Sequence, residues 1–128
     1  MIIEFNGNTP KIQSGVFLAS SADVIGDVVL ANDVSVWYNS VIRGDFNSII
    51  VEDSSNIQDN SILHVDADEP LSIGKNTIIS PNCVIEDEVS IGENSFIGAN
   101  VTIQRECQLG KRCVILPGAI IGSEGFGN

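Results

Sequence analysis

Aromatic residues are scarce in this chain, at 5% of 128 positions, and positive charge is scarcer still, with six Lys and Arg against seventeen Asp and Glu. A formal charge of −11 repels phosphate, which makes nucleic acid and anionic membranes poor partners. It also disfavours a coenzyme A site, for which few basic residues are available. No apolar run approaches the roughly 20 residues of a membrane span. The first residues lack the basic start and long apolar core of a signal peptide. Three cysteines, Cys83, Cys107 and Cys113, show neither CxxC nor zinc-ribbon spacing. They are expected as buried structural thiols, and an odd count of free thiols suits a reducing, cytoplasmic compartment. Only one histidine, His64, is present. So few rings imply a narrow interior filled by Ile, Val and small residues.

What the chain does have is a period. Ile73, Ile79, Ile85, Ile91, Ile97, Ile103, Leu109, Ile115 and Ile121 recur every sixth residue without a break. A small or short side chain follows four positions after most of them, as at Thr77, Cys83, Val89 and Ser95. Six is not a multiple of the helical period, so an amphipathic helix is excluded. A fixed hexapeptide repeat predicts a parallel β-helix, in which each coil buries its aliphatics against the next.

The whole chain, 1–128, is expected to be one domain. Residues 1–15 are a lead-in in which Ile2, Ile3 and Phe5 supply a capping strand, with a turn at Asn6-Gly7-Asn8. Hexapeptides occupy 16–121, beginning at Leu18, Val24, Leu30, Val36 and Ile42. The register jumps twice: three extra residues lie between Ile42 and Val51, and four between Leu63 and Ile73. Seventeen hexapeptides at three per coil predict five to six triangular coils. A glycine-rich tail, 122–128, ends the sequence without a helix, so the far end of the solenoid is expected to be open, covered by a partner, or truncated. Insertions thrown out from a solenoid are the places to look for function.

Discounting the insertions, Ile42, Leu63 and Ile85 fall on one face in successive coils. Arg43, His64 and Glu86 then stack as a column, about 4.8 Å per step. Trp37, Gln58 and Ser80 form a neighbouring column, with Asp59 and Pro81 one position further on. Such a polar column can be a paired ladder at a subunit contact, a small-molecule site with His64 as ligand or general base, or a simple structural hydrogen bond. A triangular solenoid meets its neighbours naturally around a threefold axis, which predicts a homotrimer.

The run Val36-Trp37-Tyr38-Asn39-Ser40-Val41-Ile42-Arg43-Gly44-Asp45 resembles the opening signature of the γ-class carbonic anhydrases. Asn56-Ile57-Gln58-Asp59-Asn60-Ser61-Ile62-Leu63-His64-Val65 resembles their second motif. The resemblance implies a left-handed parallel β-helix, a trimer, and three histidines that hold a metal across the subunit interface. His64 matches the first ligand. Pro81 and Glu86 stand where the other two are expected. Arg43, Asp45, Gln58 and Asp59 match positions that serve the interface and the hydrogen bonds around the site. Separately, Pro117 to Gly127 is similar to a segment of the UDP-sugar N-acyltransferases of lipid A synthesis, which are also left-handed β-helices.

Three functions are compatible with these residues. The first is a γ-carbonic-anhydrase-like trimer without a complete zinc site, acting as a binding or structural protein with a small-ligand pocket between subunits and no cofactor. The second is a hexapeptide acyltransferase, dependent on acyl-CoA or acyl carrier protein, with His64 as general base. The third is an oxygen-rich divalent-metal site formed by His64, Glu86 and the acidic loop Asp66-Ala67-Asp68-Glu69-Pro70.

Overall fold

The computed structural model describes residues 1–66 and 68–122. They contain no helix, and wind into a left-handed parallel β-helix of about seven turns. The first face stacks Ile2–Ile3, the start of Asp23–Leu30, the start of Val41–Val51, then Ile62–His64, Val84–Ile85, Thr102–Ile103 and Ile120–Ile121. The second stacks Phe17–Leu18, Ser35–Val36, Asn56–Ile57, Ile78–Ile79, Phe96–Ile97 and Val114–Ile115. The third runs from Lys11–Ile12, through the ends of the two long strands, to Leu71–Ile73, Ser90–Ile91 and Gln108–Leu109.

The length exceeds the expected five to six coils because the lead-in is itself part of the ladder. Ile2–Ile3 and Lys11–Ile12 both pair in parallel with Asp23–Leu30. A tight hairpin at Phe5 and Asn8 interrupts the six-residue spacing between them and hides them from a repeat count. The α-amine of Met1 donates to the carbonyl of Ala22 and pairs with Asp23, fixing the start of the chain on the first full coil.

The core is the predicted aliphatic ladder. Leu30, Ile42, Ile57, Ile79, Ile85, Ile97 and Ile103 are fully buried. Each rests on the equivalent residue one coil away, as Ile79 lies between Ile57 and Ile97. The small positions have a second task. Ser61 Oγ donates to the Ser80 carbonyl at 3.0 Å and accepts the Cys83 N–H at 3.1 Å. Ser40 and Ser55 do the same in their columns, giving partners to corner backbone groups that would otherwise be buried unpaired.

Corners turn on left-handed residues. Asn39, Asn60, Asn76, Asn82, Asn94 and Asn100 have φ between 54° and 63°, each three positions after an inward aliphatic. Asn tolerates this region because its short side chain bonds locally. The cysteine expectation holds in part. Cys83 is buried, but Cys107 and Cys113 are only half-buried, as are Leu109, Ile115 and Ile121, because no described coil stacks on them.

Replacing Ile79 by Ala removes a side chain packed on both sides in an interior that cannot collapse sideways. The expected cost is about 2–5 kcal/mol, measured by equilibrium denaturant unfolding. Unchanged stability would contradict the stacked-ladder account.

Candidate functional site

Both register jumps fall at the same corner, between the first and third faces. At the first, Gly26 pairs with Gly44 and Val28 with Ile49, so Asp27 alone lies opposite residues 45–48. Gly44 is needed there, since a Cβ would sit 2.5 Å from the Asp27 carbonyl oxygen. The second lies one coil on, between His64 and Leu71. Ala67 of the acidic loop lies outside the described residues.

The expected column forms. Arg43 and His64 are register partners, and Glu86 follows the Leu63–Ile85 pair. Arg43 is half-exposed and its guanidinium lies 3.7 Å from the carboxylate of Asp45, which is 10% exposed. Glu86 is half-buried, and its carboxylate accepts the backbone N–H of Arg105 at 3.1 Å. It thereby caps a corner of the next coil. His64 is half-buried, and its imidazole makes no side-chain hydrogen bond or ion pair among the described residues.

Gln58, Asp59 and Pro81 lie elsewhere in the same chain, on the second face and the corner that follows it. The Gln58 backbone donates to Ile79 and accepts from Ser40 Oγ. Asp59 and Pro81 accept through their carbonyls from Asn82 and Asn100, respectively. Pro81 lies in the corner before the first-face strand Val84–Ile85, turned by Asn82 in the left-handed region, and Glu86 directly follows that strand.

The donor set can be tested against a catalytic zinc, which takes three protein ligands and leaves one position open. His64 offers an imidazole, Pro81 offers no side-chain donor, and Glu86 offers a carboxylate, one oxygen of which accepts a backbone N–H, so two donors stand where three are needed. These residues do not fit such a metal. Among the described residues, no group of three or more His, Cys, Asp or Glu is arranged so that it could hold a metal ion.

One cluster escaped the sequence reading. Arg105 reaches Glu106 at 3.1 Å, Asp87 at 3.5 Å and Glu88 at 4.0 Å. Beside it an open groove of about 550 Å³ is lined by Glu69, Ser72, Glu88, Ser90, Glu106 and Gln108. The signal was available, because the corner positions after Ile85 and Ile103 fall in one column. Partial desolvation, then the carboxylates of Glu106 and Asp68, push the Glu88 pKa up, against the pull of Arg105.

That shift fixes a sign. Folding favours the protonated form of Glu88, a contribution complete below its ordinary value of 4.5 and lost as pH rises through the raised value. Glu88→Gln, which carries no charge, should melt higher than the parent at about pH 7, and the gap should close by about pH 4. A gap that widened in acid would reverse the assignment.

Comparison with known proteins places the repeat. The family model "Bacterial transferase hexapeptide (six repeats)" matches residues 70–105. A carbonic anhydrase of Geobacillus kaustophilus is 38% identical over 89 residues, covering 70% of this chain and 49% of that protein. Gamma carbonic anhydrase 2, a mitochondrial protein of Arabidopsis thaliana, is 38% identical over 91 residues, covering 62% of this chain and 33% of that one. A crystal structure of a hexapeptide transferase family protein from Anaplasma phagocytophilum superposes with a TM-score of 0.82 at 28% identity, covering 94% of this chain and 74% of that one. The chain thus spans between a third and a half of the length of these two curated relatives.

Proposed function

We propose that this chain, a member of the γ-carbonic-anhydrase-like hexapeptide-repeat proteins, forms a homotrimer that keeps the family's frame and lacks its zinc chemistry. It acts as a binding or structural protein with a small-ligand pocket between subunits. The observation that carries this reading is the donor set: an imidazole at position 64, a proline with no side-chain donor at 81, and at 86 a carboxylate in place of an imidazole, one oxygen of which accepts a backbone N–H of the next coil. Efficient CO2 hydration needs a metal-bound water made acidic enough to act near neutral pH, and these side chains do not hold the ion that would make one. Arg43 and Asp45 pair within the chain, and in this reading they serve the interface together with Gln58 and Asp59.

A second reading has one observation in its favour. The fold matches that of a hexapeptide transferase family protein over nearly all of this chain. His64, half-buried and with no side-chain partner among the described residues, is the residue that would serve as general base on a hydroxyl or amine acceptor. The scarcity of basic residues weighs against an acyl-CoA or acyl-carrier-protein donor.

The primary reading makes two measurements decisive. Purified protein should carry far less than one zinc per subunit by elemental analysis and hydrate CO2 no faster than buffer. Introducing Pro81→His and Glu86→His together should restore metal binding, with tight zinc uptake seen by titration calorimetry. Stoichiometric zinc in the unaltered protein would overturn the proposal. If acetyl transfer were found and survived His64→Ala, the general-base assignment would fall.

A further inference from the structure

The first face holds a two-by-two patch of outward side chains. Ile62 and His64 flank the buried Leu63 on one rung, and Val84 and Glu86 flank the buried Ile85 on the next. Val84 is the register partner of Ile62, and Ile85 that of Leu63. The apolar pair therefore stacks on one side and the imidazole and carboxylate on the other. Rungs are about 4.8 Å apart, and the two sides are roughly 6.6 Å apart along the strand. Ile62 is 40% exposed, and Val84, His64 and Glu86 are half-buried. Thr102 and Gln104 follow on the next rung and add no charge.

The charge of this patch is the reverse of what a zinc centre would give it. A divalent ion on three imidazoles brings two positive charges to such a position, and these attract anions. The imidazole and carboxylate present here bring one negative charge instead. Accepting the Arg105 N–H uses one of roughly four lone-pair sites on the Glu86 carboxylate, so most of its accepting capacity remains. Arg43, on the rung before His64, does not restore a positive sign. Its guanidinium is the ion-pair partner of Asp45, only 10% exposed, and leaving it would strand a buried charge. Arg105 is held likewise by Asp87, Glu88 and Glu106.

We propose that the pocket containing this patch binds a small organic ammonium ion, an amine with a short alkyl chain, in place of an oxyanion. This rests on the reading above of a trimer whose interface pocket holds no zinc, and names the ligand class of that pocket. The ammonium group donates to the Glu86 carboxylate and the His64 imidazole, and charge-assisted bonds of this kind are the stronger class. The alkyl chain lies on Ile62 and Val84, and about four carbons span the distance from the polar pair to the apolar one. A metal ion is the poorer occupant, because the described residues offer no set of ligands arranged for one.

The test uses the complete chain and reads its single histidine, whose ring-proton NMR signals can belong only to His64. At fixed pH and ionic strength, n-butylammonium chloride should shift those signals saturably, while sodium acetate and sodium bicarbonate should leave them in place. Shorter alkylammonium ions should bind more weakly, by about fourfold per methylene lost from contact. Glu86→Gln, whose amide oxygen can still accept the Arg105 N–H, should weaken butylammonium binding about tenfold or more. Should Glu86→Gln fail to fold, the contrast between ammonium and anions in the parent still decides. A shift with acetate or bicarbonate and none with butylammonium, no shift with any of the three, or equal butylammonium affinity in Glu86→Gln overturns the ligand class and leaves the zinc-free trimer standing. Stoichiometric zinc overturns both. A monomer in sedimentation that binds butylammonium through Glu86 overturns the trimer alone.

Discussion

Stacked backbone hydrogen bonds between coils, evenly spaced and parallel, are the constraint on which everything else rests. The N–H of Ile78 donates to Ser95, that of Phe96 to Cys113 and that of Val84 to Val101, all within 2.8–3.0 Å. Such a ladder tolerates no slippage, because a one-residue shift would turn every inward aliphatic outwards. Equal coil length is therefore enforced, and surplus residues must leave the coil at a corner. That is where residues 45–48 and the acidic loop are found, on adjacent coils of the same edge. The insertions are a product of register before they are anything functional.

The same constraint separates fold from chemistry. Arg43, His64 and Glu86 project outwards from rungs whose inward neighbours Ile42, Leu63 and Ile85 are fully buried. Changing an outward residue leaves the aliphatic stack untouched, so an outward position can hold a proline or a glutamate at little cost to the solenoid. Pro81 shows how. Its ring nitrogen cannot donate, but the coil asks only for its carbonyl, which accepts from Asn100. Glu86 goes further and takes a structural part, capping the backbone N–H of Arg105.

How much of this was legible in the sequence follows from which interactions are periodic. The aliphatic ladder, the insertions and the Arg43–His64–Glu86 column all depend on counting, and counting found them. The pairing of Ile2–Ile3 was missed as a full rung because a hairpin breaks the count before it. The half-exposure of Cys107 and Cys113 was missed because a repeat position implies burial only where another coil lies above. The engagement of Glu86 was out of reach for a different reason: its partner is the backbone of a corner 19 residues away, and backbone donors leave no mark in a sequence.

The left-handed corners bring these threads together. Most are turned by Asn, but Glu88, Glu106 and Arg112 take the same conformation, with φ of 59°, 68° and 55°. Longer side chains gain less from local bonding there than Asn does, so these corners turn at a disadvantage. Two of them, Glu88 and Glu106, crowd their carboxylates around one guanidinium. The neutral Asn edge, in contrast, turns at little cost and links side chain to side chain, with Asn60 donating to Asn82 at 2.7 Å. One edge of the prism is therefore internally satisfied and nearly free of charge, while another concentrates like charges on unfavourable backbone. A chain with a net charge of −11 thereby keeps one edge nearly free of like-charge repulsion. The repeat makes it possible, because each corner is a separate column that can be composed independently of the other two.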